Sequence, residues 1–428
     1  MTDDDAPDRS AEGALLEVPL PHAEAPSAAP RLLTNRPFLW LVAGDSFATL
    51  GRWAFFLAAV GDAAYRLDAS PAQVGLLLAS FSVPLIVASP LYGAAADRWS
   101  PKLLLVFTVA AALGPPFLAL RANSLGSLFL ATTLYGLVHG AVMPSRGALV
   151  PRLVAADQLV RANGMISAAF SAQLVVGPAL AALLVRIGGP HAPYLVTVGA
   201  SALALLAYLA VPDRRKQGGR GPRKAIFADV GSGFREGWQN LALRNLFGIS
   251  MSIWFLIGLL LALEPLYIKN DVGGGRDFLG LVWAVYGAGE VVGSVILART
   301  RRGAGREPSL VAFGLLVASV GFLLYVSVSS PLAVIAGNVV FGIGFPFYTA
   351  TSNALIQRVA RHPGKVTAAF SMAGEGGPVA ASALLAVGGG ALSVRAWLLV
   401  SGLAFTVVAL TALRVARRQA MPQETAAT

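Results

Sequence analysis

Cysteine is absent from the 428-residue chain, and charged residues are scarce at 13%. The lack of cysteine excludes disulfide frameworks, thiol nucleophiles and zinc sites built on sulfur. Charged residues make up about a quarter of an ordinary soluble protein, so this chain has too little polar surface for a water-soluble enzyme of its size. Lipid is therefore the expected solvent.

Motifs for catalysis are lacking as well. The four histidines are scattered and never fall at metal-ligand spacing, and no Walker-type phosphate loop or GxSxG nucleophile elbow is present. We therefore expect no metal, no cofactor and no enzymatic activity.

Apolar residues are abundant, at 56% of the chain. A bilayer core about 30 Å thick needs about 20 apolar residues per helix. The sequence thus predicts an all-α membrane protein with twelve transmembrane helices. They cover residues 37–60, 72–96, 102–120, 125–145, 164–187, 192–211, 245–268, 278–298, 309–328, 331–355, 366–390 and 394–413.

The positions of lysine and arginine predict the orientation. Of the 33 basic residues, 26 lie in segments that are cytoplasmic if both termini are inside, six lie in the other gaps, and Arg52 lies within the first span. Cytoplasmic loops carry such an excess of positive charge. We therefore predict a multi-pass protein of the inner (plasma) membrane with both termini in the cytoplasm. The net charge of +11 follows from this topology, so no nucleic-acid partner is expected.

Internal repeats relate the two halves of the chain. Spans 4 and 5 match spans 10 and 11, so the halves have the same orientation. Such parallel repeats build two six-helix bundles around a central cavity. The matching segments are Tyr135-Gly136 with Phe341-Gly342, ALVPRLV (148–154) with ALIQRVA (354–360), and SAAFS (167–171) before Gly177-Pro178 with TAAFS (367–371) before Gly377-Pro378. We expect the two Gly-Pro pairs to serve helix packing.

The gaps divide the chain into five predicted segments. They are a disordered cytoplasmic tail (1–36), an N-terminal six-helix bundle (37–212), a cytoplasmic linker (213–244), a C-terminal six-helix bundle (245–413) and a second cytoplasmic tail (414–428). Within the linker, the apolar residues of 226–243 recur at three- and four-residue spacing, which predicts an amphipathic helix on the membrane surface.

The turn between spans 2 and 3 reads GAAADRWSPK, from Gly93 to Lys102. It resembles a signature of the major facilitator superfamily, Gly-x-x-x-Asp-Arg followed by basic residues. Gly93, Asp97, Arg98 and Lys102 match this signature, and Pro101 stands where an arginine is common. The resemblance implies the major facilitator fold and a role for these four residues in gating the conformational cycle.

Three further passages look like the drug:proton antiporter branch of that superfamily. They are AGDSFATLGRW (43–53), MPSRGALVPRLV (143–154) and VVGPALAALL (175–184). The third resembles the Gly-Pro antiporter motif, with alanines in place of its trailing glycines. The resemblance implies a monomeric transporter in the lipid bilayer that binds a small-molecule substrate and protons.

Ionisable side chains inside the spans are candidate functional residues, because each costs about 2.5–3.5 kcal/mol at mid-bilayer. Glu290 and Glu375 lie near the middle of spans 8 and 11 with no basic residue one turn away. A carboxyl group in low dielectric favours its neutral form, which permits proton loading. These two residues, followed by Asp45 in span 1, are the predicted proton-coupling residues. The alternative is a structural ion pair of Arg52 with Glu290 or Glu375.

Candidate cavity residues come from the same spans. Asp45, Thr49 and Arg52 share one helical face of span 1, and Arg52 has a second interpretation as the contact for an anionic substrate. Trp283 and Tyr286 share the face of Glu290. His139 in span 4 is a further candidate, with a hydrogen-bonded packing role as the alternative.

Three other charged residues receive structural interpretations. Arg146 lies near the cytoplasmic end of span 4, where its side chain is expected to extend to the interface. Asp62 and Glu264 lie near span ends and are expected to be interfacial.

The sequence therefore predicts a secondary transporter that works by alternating access and exports an amphipathic organic compound, such as a drug, antibiotic or siderophore, in exchange for protons. The alternatives are an importer or uniporter of a small anionic metabolite on the same fold, and a membrane receptor without transport.

Overall fold

The computed structural model describes residues 32–155, 158–213, 226–300 and 306–424. The predicted N-terminal tail and much of the predicted linker lie outside these ranges, as do the side chains of Asp97 and Arg98. The helices are α1 (Arg36–Tyr65), α2 (Pro71–Arg98), α3 (Pro101–Ala111), α4 (Gly114–Leu120), α5 (Leu125–His139), α6 (Val142–Leu153), α7 (Leu159–Gly188), α8 (Ala192–Ala210), α9 (Ile226–Gln239), α10 (Leu241–Tyr267), α11 (Arg276–Arg299), α12 (Glu307–Ser327), α13 (Pro331–Val359), α14 (Pro363–Gly388) and α15 (Val394–Glu424).

The described helices correspond to the twelve predicted spans, with α9 as an additional helix. Helices α3 and α4 together make span 3, and α5 and α6 together make span 4. The break before α4 precedes Pro115 and Pro116, which have no N–H to continue the hydrogen-bond ladder. The predicted all-α fold class is thus confirmed, and the part of the chain that is described contains no strand.

Serine and proline mark the starts of several spans. Ser70 and Ser124 close capping boxes at the starts of α2 and α5, and Ser330 accepts a hydrogen bond from the N–H of Ala333 at the start of α13. These side chains satisfy N–H groups that have no partner within the helix. Within the described residues, ten segments are long and apolar enough to cross a membrane. Helices α1 and α7 are not among the ten, and α1 contains Asp45, Arg52 and Asp62 within its length.

The two halves repeat the same close helix contacts. A Cβ on Gly136 would lie 2.1 Å from the carbonyl oxygen of Phe81 in α2, and one on Gly342 would lie 2.2 Å from that of Tyr286 in α11. Span 4 therefore packs on span 2 as span 10 packs on span 8.

The glycines of the predicted Gly-Pro pairs also lie at close contacts between helices. A Cβ on Gly177 would lie 3.2 Å from Cβ of Trp53 in α1, and one on Gly377 would lie 2.6 Å from the backbone nitrogen of Phe255 in α10. The side chain of Pro178 is outside the described part, whereas Pro378 packs against the α10 backbone at Gly258.

The halves meet at one end of the molecule. We call it the outer end, after the predicted orientation: α1 and α10 finish there, and α2 and α11 begin there. Tyr65 donates a hydrogen bond to the carbonyl oxygen of Gly274 (3.0 Å), and Lys269 donates one to that of Ala64 (2.7 Å). A Cβ on Gly75 of α2 would lie 2.9 Å from Cβ of Leu385 in α14. These contacts close the space between the halves at the outer end.

Helix α9 ends before the predicted boundary at residue 243. Asn240 interrupts the helix and caps α10, since its side-chain oxygen accepts hydrogen bonds from the N–H groups of Ala242 and Leu243. The C-terminal half therefore begins its first span at Leu241 rather than at residue 245. At the other end of that half, α15 continues as a helix beyond residue 413, into the predicted tail.

Helix α9 is fastened to the inner end of the C-terminal half. A Cβ on Gly233 would lie 2.2 Å from the carbonyl oxygen of Lys365, and the ring of Phe234 packs 5.8 Å from that of Phe247. Burial acts to raise the pKa of Glu236, but hydrogen bonds from the side chain and N–H of His362 and the N–H of Arg361 outweigh it, so this pKa is lowered. Trp238, one helical turn after Phe234, is 59% exposed.

Candidate functional site

Four ionisable residues from four helices lie at one depth, which we call the midplane layer. Arg52 and Glu375 each precede the outer end of their helix by thirteen residues, and His139 and Glu290 each follow it by fourteen. At 1.5 Å per residue, each lies about 20 Å from the outer end. The sequence predicted all four residues, and the fold brings them to one level.

Aromatic rings from both halves close the space on the outer side of this layer. The ring of Trp283 in α11 lies 5.6 Å from that of Trp53 and 6.0 Å from that of Phe56, both in α1. Phe56 is one helical turn outward from Arg52. We call these three residues the aromatic gate. Trp283, predicted as a cavity residue, therefore lies at the closed, outer end of the predicted cavity.

Arg52 is half-buried, with its guanidinium 4.9 Å from the centre of the Trp53 ring. It forms no hydrogen bond or ion pair with any residue whose side chain is described. The predicted alternative, an ion pair with Glu290 or Glu375, is therefore not formed in this conformation. Glu375 in the opposite half is nevertheless among the acidic groups near Arg52.

The two predicted glutamates have different surroundings. Glu290 is half-buried and accepts a hydrogen bond of 2.7 Å from the hydroxyl of Tyr286. The Tyr286 ring packs against Phe341 at 5.6 Å and Phe345 at 6.3 Å. Glu375 is exposed and makes no hydrogen bond or ion pair within the described residues, so the low-dielectric setting expected for both fits Glu290 better.

Asp45 lies farther toward the inner end than the midplane layer. Its Oδ2 accepts a hydrogen bond from Arg146 in α6 (2.7 Å), and both side chains are largely buried. The expectation that Arg146 extends to the interface is thus wrong, because the buried carboxylate of Asp45 holds it. Thr49 is buried beside this pair, so the polar face predicted for α1 divides into a paired Asp45 and an unpaired Arg52.

Two residues expected at the interface are instead fully enclosed. Glu264, 4% exposed, accepts hydrogen bonds from the indole N–H of Trp283 (2.7 Å) and the hydroxyl of Tyr325 (3.0 Å). Asp62, 0% exposed, accepts them from Tyr194, Arg66 and Arg276. Both residues lie close to predicted span ends, which suggested contact with water. The close packing at the outer end excludes water from both side chains. For Asp62, the only signal of this pairing in the sequence was its position four residues before Arg66, which puts the two side chains on one helical face.

Truncating Glu264 should destabilise the protein. Alanine would leave the Trp283 N–H and the Tyr325 hydroxyl buried without acceptors, and each such group costs about 1–3 kcal/mol. We expect Glu264→Ala to lower the free energy of unfolding by about 2–4 kcal/mol and Glu264→Gln to lower it by less, because the amide oxygen still accepts. The exposed Glu375→Ala is the matched control, with an expected change within about 0.5 kcal/mol. Equal losses in Glu264→Ala and Glu375→Ala in detergent unfolding curves would contradict this account.

The predicted gating motif is described in part. Gly93 is buried, and the ammonium of Lys102 donates a hydrogen bond of 2.9 Å to the carbonyl oxygen of Leu209 at the end of α8. The gating roles of Asp97 and Arg98 stay predictions, since their side chains are outside the described part. His139 is half-buried and its ring stacks on that of Tyr135 at 6.0 Å.

Comparison with known families identifies the chain's family. The sequence model described as Major Facilitator Superfamily matches residues 41–382 and 259–426. This chain belongs to the major facilitator superfamily. The predicted resemblance is confirmed, and the protein is a multi-pass membrane transporter of small molecules and not an enzyme.

Relatives with curated descriptions fall within this superfamily. The uncharacterized MFS-type transporter YfiS of Bacillus subtilis is 24% identical over 285 residues, which cover 64% of this chain and 66% of that protein. Multidrug resistance protein 1 of the same organism is 22% identical over 307 residues, or 69% of this chain and 75% of that protein. The quinolone resistance protein NorA of Staphylococcus aureus is 24% identical over 143 residues, or 33% and 36%.

Solved structures share the fold. A bacterial homologue of the lysosomal transporter Spinster superposes with a TM-score of 0.70 at 14% identity, covering 91% of this chain and 98% of that one. The nucleoside transporter NupG superposes with a TM-score of 0.66 at 14% identity, covering 89% and 99%. This likeness shows the major facilitator fold and does not define the substrate.

Proposed function

We propose that this transporter exports an amphipathic organic compound in exchange for protons. The observation that carries the proposal is the midplane layer, where the half-buried carboxyl group of Glu290 is hydrogen-bonded to Tyr286, whose ring packs on Phe341 and Phe345. Aromatic and aliphatic walls bind the apolar part of such a compound, and a few polar groups orient it. The printed names of two relatives, a multidrug resistance protein and a quinolone resistance protein, support export.

Proton exchange rests on Glu290. Its surroundings of aromatic rings disfavour a charge, whereas the Tyr286 hydroxyl stabilises the carboxylate once it forms. A group balanced between these effects can take up a proton from one side and release it on the other when the halves alternate. Glu375 and Asp45 remain the second and third candidates, and Asp45 is held by Arg146.

Transport in proteoliposomes tests the coupling. With an acidic lumen, the wild-type protein should accumulate the amphipathic dye rhodamine 123 inside vesicles in which its cytoplasmic face points outward. Glu290→Gln should abolish the effect of the pH gradient while leaving dye binding intact. Asp277→Asn, an exposed acid at the outer end of the same helix, is the matched control and should transport normally. Gradient-driven accumulation that persists in Glu290→Gln, Glu375→Gln and the double variant would contradict the proposal.

A second candidate function is import or uniport of a small anionic metabolite. It is favoured by Arg52, a cation in the midplane layer that has no ion-pair partner among the described side chains. The direction of flux in inverted vesicles separates the two functions, and Arg52→Ala should abolish transport of an anion under the second. The inner-membrane location and the cytoplasmic termini belong to both proposals.

A further inference from the structure

Arg52 and Glu375 face each other across the space between the halves. Trp53 and Phe56, next to and one turn beyond Arg52, contact Trp283 of the C-terminal half, so this side of α1 is directed at that half. Ser382 is seven residues after Glu375 and therefore on the same face of α14, and its carbonyl oxygen contacts Gly75 of the N-terminal half. Each residue thus lies on the face of its helix that is directed toward the opposite half.

Their charges are opposite, and neither is neutralised by an ion pair with a described side chain. They lie at the same depth, about 20 Å from the outer end at 1.5 Å per residue. Glu375 is among the acidic groups near Arg52, yet the two side chains form no salt bridge. A separated cation and anion at one level of the space between the halves can bind a ligand that carries both charges.

We propose that the substrate is a zwitterion with a flat, ring-containing body, whose anionic group binds Arg52 and whose cationic group binds Glu375. The inference rests on the proposed function and specifies its substrate class. It also divides the work of the two glutamates. Glu290, held by Tyr286, exchanges the proton, and the exposed Glu375 contacts the substrate.

The aromatic residues fit the body of such a ligand. Trp53 lies under the Arg52 guanidinium, and Trp254 and Phe345, with ring centres 5.9 Å apart, line the C-terminal half beside α14. Gly374, next to Glu375 in the chain, packs on Trp254. A planar ring system between the halves would therefore contact aromatic faces with its body while its two charges reach Arg52 and Glu375.

Three dyes with one ring framework test the proposal by equilibrium binding to the purified full-length protein, monitored by fluorescence polarisation. Rhodamine 110 is zwitterionic, rhodamine 123 is its methyl ester and carries only the positive charge, and fluorescein carries only negative charge. Wild-type protein should bind rhodamine 110 about tenfold more tightly than either of the others, since one charge-assisted contact is lost in each.

The variants should change these affinities selectively. Arg52→Gln should weaken binding of rhodamine 110 and fluorescein about tenfold and leave rhodamine 123 unchanged or tighter. Glu375→Gln should weaken both rhodamines about tenfold and leave fluorescein unchanged or tighter. Arg52→Lys and Glu375→Asp keep the charges and should each weaken rhodamine 110 binding less than the corresponding glutamine variant does.

Several outcomes would overturn the proposal. If either charge-removing variant weakens the binding of all three dyes equally, Arg52 and Glu375 affect the arrangement of the halves and do not contact the ligand. If rhodamine 123 binds wild-type protein as tightly as rhodamine 110 does, the zwitterionic class is wrong while amphipathic export stands. Failure of all three dyes to bind would contradict the proposed function and this inference together. Because binding requires no proton gradient, loss of coupling alone would leave the inference intact.

Discussion

Asp62→Ala should open the outer end of the transporter. Asp62 is fully buried in α1 and accepts a hydrogen bond of 2.6 Å from Arg276 in the opposite half, together with those from Arg66 and Tyr194. Removing one member of a buried ion pair costs about 3–5 kcal/mol. Both arginines are partly exposed, which reduces this cost, so we expect about a 10- to 100-fold shift toward conformations with the outer end open.

The absence of cysteine makes the shift directly measurable. Leu385→Cys places a single thiol at the contact between α14 and α2, where Leu385 is 0% exposed. A membrane-impermeant maleimide added from outside should react about 10- to 100-fold faster with this thiol in the Asp62→Ala background. Arg395→Ala is the matched control, because Arg395 lies at the same end but bonds only to Ser327 of its own half among the described residues. Equal labelling rates in both backgrounds would show that Asp62 does not hold the outer end closed.

Gly136→Ala and Gly342→Ala should each lower the stability of the protein strongly and to a similar extent. The new methyl groups would lie 2.1 and 2.2 Å from backbone carbonyl oxygens of the neighbouring helix, and neither backbone can move without separating two spans. Overpacking typically lowers the free energy of unfolding by about 1–3 kcal/mol. Because the neighbouring atoms belong to the backbone, we expect losses at the upper limit of this range.

The matched control is Gly147→Ala in α6, where a Cβ meets nothing within 4 Å. There alanine should be neutral or stabilising, because it favours a helix by about 1 kcal/mol relative to glycine. Thermal unfolding in detergent should give a Tm about 3 °C lower for both tight sites and unchanged or higher for the control. A Gly342→Ala variant as stable as wild type would mean that the two halves do not share this contact.

The sequence was sufficient for the architecture because the lipid solvent imposes simple rules. Twelve runs of about 20 apolar residues, separated by basic and neutral gaps in turn, leave little freedom in a bilayer. The repeat around Gly136 and Gly342 then implied equivalent packing in both halves, and both glycines do contact the second span of their half.

The site was harder to predict because pairing depends on which faces meet. Helical spacing placed Asp45 and Arg52 on one face, yet Asp45 is neutralised by Arg146, about 100 residues away in the chain. Glu264 lay too near a predicted span end to be recognised as enclosed, and only the packing of α11 and α12 around it reveals its donors, Trp283 and Tyr325. Periodicity along one helix contains no information about such partners.

The two ends of the linker are attached to different halves of the transporter. Asp213, just after α8, accepts a hydrogen bond from Ser100 and so is anchored to the N-terminal half, whereas α9 is anchored to the C-terminal half. The twelve residues between them can span at most about 40 Å. Within the described residues, the hydrogen bonds that join the halves lie around Asp62, Lys269 and Tyr65, so a conformational change that opens the outer end must break them.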